Sequence, residues 1–441
     1  MAEQRENKYA QVLSRLIRVE TVSAPGQTDK SKFYAFHEEL KALFPTFFAC
    51  IEMTCMDGSL LLRWKGKDSS LSPILLMNHH DVVEASGQWT YPPFDGTIAQ
   101  GKVWGRGTLD TKGGLAMMLM AAEELAAEGF VPQRDTYFVS TCTEEVDGAG
   151  GKAIAAYLQE QGLHFDLILD EGGMILYDPI GGADGTFAMI GVGEKGYVNL
   201  KFTANSRGGH ASAPGKDTPL VRLGKFMAEA ERAKLFDVEI SPAVKEMLSR
   251  FAPTMKGIMK LACGHVGLFA PVLKRVMPAI SPTAGAMLKT TLAFTMAHGS
   301  EGYNVLPEEA WVAANMRYSH HQGKESSIAA VERLAKKYDI TVSILDDGGA
   351  SSLTDHEGKG FRFVETAVKA VFPAYLPVPY VMTAASDCRY FGGLSENCLR
   401  FVPFLIDQKQ LNSVHGKDEC VDIATLPGAV DFYRYVIKEW K

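Results

Sequence analysis

The sequence predicts an α/β protein: a mostly parallel sheet forms the larger domain, and a smaller ferredoxin-like α+β domain is inserted into it. Three observations predict this. Strand-length apolar runs alternate with helical patterns through the first part of the chain. The pattern changes near Gly193 to the order β-α-β-β-α-β. A further helical pattern then returns to the first domain, which is therefore discontinuous. With 441 residues, 46% of them hydrophobic, the chain has enough apolar surface for two cores.

In the first domain the apolar runs 73–77, 136–141 and 165–169 read as strands, and 114–127 and 152–161 read as helices. In such sheets ligands collect beyond the carboxyl ends of the strands, where His79, Glu144, Glu145, Asp170 and Glu171 all fall. In the insert, 196–204 reads as a strand, 220–233 as a helix, 290–297 and 310–318 as strands, 326–337 as a helix and 340–345 as a strand. Asp346-Asp347-Gly348-Gly349 is the expected exit, and 360–371 the returning helix. The expected division is 1–191 and 350–441 for the larger domain and 192–349 for the insert. Segment 241–289 does not fit the simple module. Its prolines, apolar clusters and methionines (Met247, Met255, Met259, Met277, Met287) read as an extra helical lobe, with core packing the favoured role and a substrate-covering lid the alternative.

The charge balance of 45 basic and 52 acidic residues, net −7 without long runs of one sign, gives no nucleic-acid footprint. Seven scattered cysteines with no C-x-x-C pair fit reduced thiols and argue against thiolate zinc. The polar start runs into an amphipathic segment, and no stretch reaches the roughly 20 apolar residues that span a bilayer. The expectation is a cytoplasmic protein with no membrane partner.

His79 at a strand end, Asp110 in the glycine-rich turn 105–114, Glu144-Glu145, Asp170-Glu171 and His415 are the vocabulary of a metal site. Zinc takes imidazole nitrogen and carboxylate oxygen, and a catalytic zinc keeps a position open for water, which points to hydrolysis. Asp81 lies where its carboxylate can accept the second ring N–H of His79. His80 points the other way along an extended backbone and reads as a neighbour without a metal role. Asp110 has two readings, ligand or helix N-cap. Adjacent Glu144 and Glu145 repel unless a cation or proton is shared, so one can bind metal while the other acts as a base. A solvated surface pair is the alternative, and the glycines at 148–151 speak for a shaped site.

The ordered set His79-His80-Asp81, Gly105 to Gly114, Thr143-Glu144-Glu145, Leu169-Asp170-Glu171-Gly172-Gly173, Gly208-Gly209-His210, Asn304-Val305-Leu306-Pro307 and His415 resembles the zinc-dependent aminopeptidase/carboxypeptidase superfamily. That superfamily includes carboxypeptidase S, glutamate carboxypeptidase, aminoacylase and succinyl-diaminopimelate desuccinylase. The segment after residue 240 and the Asp-Glu-Gly-Gly run look most like the carboxypeptidase S branch.

The resemblance implies two zinc ions per subunit, with His79 and Asp110 as ligands and Asp110 bridging. It implies Glu145 and His415 on one zinc, and on the other a carboxylate from Asp170 or Glu171, with Glu171 favoured. Glu144 is then the general base toward a zinc-held water. His210 of the insert is implied to reach the partner subunit's active site in a homodimer formed through that domain, and to stabilise an oxyanion there. Asn304, Arg317 and Arg389 are the groups suited to a substrate carboxylate, arginine because its planar fork makes two parallel bonds; surface ion pairing is the alternative for Arg317.

The expected function is cleavage of the amide bond of short peptides, with N-acyl amino acids as the alternative substrate. Nitrogen and oxygen ligands also admit Co2+ or Mn2+. A non-catalytic metal-binding homologue and a dinuclear phosphoesterase are the competing classes.

Overall fold

The computed structural model describes residues 2–280 and 282–440. Its main sheet has ten strands. From one edge they run Ile51–Met56, Ser59–Trp64, Thr136–Thr141, Ile74–His79, Leu167–Asp170, Cys398–Arg400, Thr186–Glu194, Ile175–Tyr177 and Leu405–Ile406, and Leu376–Met382 pairs parallel to Thr186–Glu194. Ile74–His79 is parallel to both of its neighbours, so three carboxyl ends open along one edge of the sheet. Every residue of Ile74–His79 and Thr136–Thr141 is buried, as expected of strands covered on both faces.

Helices Lys112–Ala127, Leu426–Glu439 and Ala2–Ile17 cover one face. Ala149–Glu160 covers the other through Ile154 and Leu158, which pack with Tyr137, Phe165 and Phe391. Two strands run further than their apolar runs. His79 still pairs with Thr141, and Asp170 pairs with Arg400, so these polar residues end their strands rather than follow them.

The insert carries a four-stranded antiparallel sheet in the order Thr291–His298, Glu309–Tyr318, Gly196–Asn205, Thr341–Gly349. Val198, Leu200, Phe202 and Ala204 alternate inward and pack with Leu223 and Phe226 of helix Pro219–Arg232 and with Val331 and Leu334 of helix Gly323–Lys336. The expected exit at 346–349 is still strand: Asp346 and Asp347 pair with Asn199 and Val198 through an irregular register. The two chain crossings between domains meet at one side chain. Ser351 Oγ accepts from the Glu194 amide (2.7 Å) and donates to the Glu194 carbonyl (3.3 Å).

The extra lobe consists of helices Pro242–Phe251, Gly257–Gly264, Val266–Ile280 and Pro282–Leu288. Val244, Met247, Leu248, Phe251 and Met277 form one core with Phe187, Met189 and Val378 of the main sheet. The lobe lies within the insert along the chain but is attached to the larger domain. Met247, Met255 and Met277 are buried in that core, and Met259 and Met287 are half-buried against it. No helix among the described residues is long and apolar enough to cross a membrane.

Candidate active site

Three strand ends and two loops bring the acidic and imidazole side chains together. His79 Nε2 lies 3.0 Å from Asp110 Oδ1. His415 Nε2 lies 3.1 Å from Asp110 Oδ2 and 3.0 Å from Glu145 Oε2. One ligand atom each from His79, Asp110 and Glu145 falls within 4.8 Å of the others. Asp110 thus faces both histidines, one through each carboxylate oxygen. It is not the N-cap of the following helix: that position is Thr111, joined to Asp110 by a cis peptide, and the helix begins at Lys112.

The loop carrying Asp110 closes tightly onto its helix. A Cβ at Gly113 would sit 2.1 Å from the Thr108 carbonyl oxygen, so only glycine fits. Glu419 holds the same loop from the far end of the chain. Its carboxylate accepts from the amides of Gly107, Leu109 and Asp110 and from Arg106 Nη1 at 2.6 Å, and both side chains of that pair are buried.

His79 Nδ1 bonds the backbone carbonyl of Asp81 (2.9 Å), with the Asp81 carboxylate at 3.4 Å. The carboxylate expected to take that ring N–H is occupied elsewhere. It accepts from the amides of Glu144 (3.2 Å) and Glu145 (3.1 Å) and from Ser23 Oγ (2.7 Å), donors that would otherwise be buried without partners. His80 turns away, with Nδ1 against Ser140 Oγ and its ring stacked on Phe36.

Asp170 and Glu171 part company. The Asp170 carboxylate accepts from the amides of Glu171 (2.8 Å) and Cys388 (2.9 Å) and so serves the backbone. Glu171 is raised well above the ordinary carboxyl range by burial and by the neighbouring charges of Asp110 and Asp170. Glu144 is raised likewise, by burial and then by Asp387 and Glu145, against the opposing charges of His79 and Arg389. Hydrogen bonds to Asp110 and Glu145 raise His415 to about 10. Burial opposes protonation of His79, but Asp110 and Asp81 hold it well above its usual value.

A buried set of mutually repelling carboxylates threaded with imidazoles is what a divalent cation relieves. Glu145 Oε1 is buried with no hydrogen-bond partner among the described residues, which leaves a carboxylate oxygen free for such an ion. Nitrogen and oxygen donors of this kind fit zinc.

Two arginines from different domains flank the Tyr197 ring. The guanidinium carbon of Arg317 lies 4.9 Å from its centroid and that of Arg389 5.6 Å. Arg389 Nη1 is 3.8 Å from Glu144 Oε1, and its Nη2 donates to Tyr390 Oη. Arg317 Nη1 and Arg389 Nε are buried and have no hydrogen-bond partner among the described residues. Arg317 is therefore not a surface ion pair. Asp387 makes no hydrogen bond to Arg389; its carboxylate accepts from Thr141 Oγ1 at 2.6 Å, and burial raises it to about 7.

His210 and Asn304 are exposed on the ribbon that pairs Gly209–His210 with Val305–Leu306, and among the described residues neither side chain bonds to this cluster. His210 Nδ1 accepts from the Ser212 amide, and the Asn304 carbonyl accepts from Ala211.

Sequence reasoning missed Glu419, Arg106 and Tyr197. The Gly105-Arg106-Gly107 spacing marked the turn but not its buried anion. Nothing local distinguishes Glu419 in Lys417-Asp418-Glu419, or Tyr197 in a strand of alternating burial.

Comparison with known proteins places likenesses beside this geometry. The family described as peptidase family M20/M25/M40 matches residues 75–439. The chain is 32% identical to a probable carboxypeptidase S-like 2 of Dictyostelium discoideum, covering 98% of this chain and 85% of that one. It is 29% identical to the human N-fatty-acyl-amino acid synthase/hydrolase PM20D1, covering 96% and 86%. In fold it is similar to an M20 family metallo-carboxypeptidase of Sulfolobus solfataricus, with a TM-score of 0.70, 15% identity and coverage of 97% and 98%.

Proposed function

The chain belongs to peptidase family M20/M25/M40, and from that premise we propose that it is a dinuclear zinc hydrolase cleaving an amide bond next to a free carboxylate, as a carboxypeptidase or dipeptidase acting on short peptides. The observation that carries this reading is the Asp110 carboxylate facing His79 with one oxygen and His415 with the other, with Glu145 closing one side. One zinc would be held by His79, Asp110 and Glu171, the other by Asp110, Glu145 and His415. Asp170 stays with the backbone amides it already serves. Zinc so held supplies Lewis acidity toward water and the substrate carbonyl. Co2+ or Mn2+ suits the same donors.

Glu144 is the general base. Its buried carboxylate takes a proton from water and returns it to the leaving amine; burial raises its pKa, and the charges of His79 and then Arg389 oppose that rise. Asp81 is a positioning residue: it grips the amides of Glu144 and Glu145 and fixes them relative to His79. The incompletely paired guanidinium groups of Arg317 and Arg389 suit the substrate carboxylate. Asn304, on the same exposed ribbon as His210, would add a polar contact from the partner subunit.

His210 is exposed and its ring accepts from the Ser212 amide rather than joining the cluster, which supports a role at the oxyanion of a partner subunit in a homodimer formed through the insert. Mixing His210→Ala with Glu144→Gln protein tests this, since activity returns after subunit exchange only if the site is shared. Segments 1–191 and 350–441 are taken as the catalytic domain and 192–349 as the dimerisation domain. Scattered cysteines support a cytoplasmic setting.

Likeness to the N-fatty-acyl-amino acid synthase/hydrolase favours a second reading, hydrolysis of N-acyl amino acids at the same centre. A panel of dipeptides and N-acyl amino acids, assayed with zinc analysis, tests both. Glu144→Gln should keep its metal and lose at least 100-fold in kcat; retained turnover removes Glu144 from the base role.

A further inference from the structure

The extra lobe has an unusual charge pattern. In a chain with net charge −7, residues 247–300 contain no aspartate or glutamate but carry Arg250, Lys256, Lys260, Lys274, Arg275 and Lys289. Arg250 is paired with Glu246 and Glu365. The other five make no ion pair among the described residues.

Three of those five lie together. A groove of about 680 Å³ runs between the lobe helix Val266–Ile280 and the end of the insert helix Pro219–Arg232, lined by Lys274, Arg275 and Lys289 from one side and Arg232 and Lys234 from the other, with Glu231 the only acidic residue of its lining among the described residues. The lobe also bares large apolar side chains: Leu268 (78% exposed) and Val272 on the helix that lines the groove, and Ile258 (75%) and Leu261 on helix Gly257–Gly264 before it. On the lobe helix Leu268, Val272 and Arg275 follow one another at helical spacing, so the apolar stripe and the groove share an edge.

From this juxtaposition, and against the expectation of no membrane partner, we propose that the lobe docks on an anionic phospholipid surface. Headgroup phosphates lie in the Lys274–Arg275–Arg232 groove, and Leu268, Val272 and Ile258 enter the boundary between headgroups and acyl chains. Basic side chains beside an exposed apolar face are the signature of interfacial binding. A soluble polyanion would use the cations and leave the apolar face bare. The overall negative charge keeps attraction local to this lobe.

The test is sedimentation of the full-length protein with vesicles of phosphatidylcholine alone and with about one third phosphatidylserine, at low and high salt. The protein should partition to the anionic vesicles only, and less at high salt. Lys274→Glu with Arg275→Glu should weaken binding roughly 20-fold at an unchanged unfolding temperature. Arg232→Glu with Lys234→Glu, on the other wall of the groove, should act in the same direction, and Leu268→Ser with Val272→Ser should weaken it independently of salt.

No partition to anionic vesicles, or partition indifferent to charge reversal, overturns the proposal. Binding that survives loss of Leu268 and Val272, or that millimolar inorganic phosphate abolishes, identifies a free-anion or polyanion site instead and overturns it as well.

Discussion

Arg106 and Glu419 form a buried ion pair, 2.6 Å between Nη1 and Oε2, whose carboxylate also receives the amide of Asp110. The residue proposed to bridge two metals is therefore held by an anion from the far end of the chain. Removing one member of a buried pair leaves the other charge unpaired, at a cost of about 3–5 kcal/mol. Arg106→Met should lower unfolding stability by about that amount and reduce bound metal, measured by urea titration and elemental analysis. Unchanged stability would show that the three backbone amides alone hold Glu419.

Glu171 and Asp170 separate by a metal count. Glu171→Ala should leave about one zinc per chain in place of two, whereas Asp170→Asn should keep both and lose stability, because an amide cannot accept from the Cys388 and Glu171 amides as a carboxylate does. The reverse pattern would exchange their roles.

Arg317→Met should raise KM by roughly 10- to 100-fold for substrates with a free carboxylate, the range of a charged hydrogen bond, with little change in kcat. For the matching amide substrates the variant and the parent should differ little. An equal loss on both substrates would place Arg317 in packing against Tyr197 instead.

Stability should fall in mild acid. Burial lowers His37 to about 4, and its Nε2 contacts the Gly58 carbonyl at 3.0 Å. The unfolded chain binds a proton at His37 near pH 6.5 and the folded chain does not until about pH 4, so the contribution is complete above 6.5 and is lost as pH drops toward 4. The slope is at most about 1.4 kcal/mol per pH unit for this one proton. Urea midpoints measured between pH 7 and 4.5 should flatten in His37→Gln, and an identical slope would assign the acid sensitivity to other groups such as buried His80.

The sheet was legible because its central strands are continuous apolar runs, and the polar residues that end them stand out against those runs: His79 after Ile74–Asn78, Glu144-Glu145 after Thr136–Cys142. The insert was legible through the inward alternation of Val198, Leu200, Phe202 and Ala204. What escaped depends on contacts across long stretches of chain. The choice between Asp170 and Glu171 turns on the Cys388 amide, 218 residues further on, and the grip on Asp110 comes from Glu419, 309 residues away. The attachment of the lobe to the main sheet through Phe187 and Val378 leaves no local pattern either, since an apolar helix reads the same whichever core receives it.

Asp81 is a single node joining His79 to the backbone of Glu144 and Glu145, the residues proposed to bind metal and to act as base. Its carbonyl sets the His79 ring, and its carboxylate sets the amides from which Glu144 and Glu145 project. The offset between an imidazole and two neighbouring carboxylates is thereby written into one residue, which also fixes the start of the turn that leads into helix Ala149–Glu160. A change at Asp81 would therefore displace the proposed base and the proposed ligands in one stroke, whereas a change at Glu144 or Glu145 alone would leave the frame around it standing.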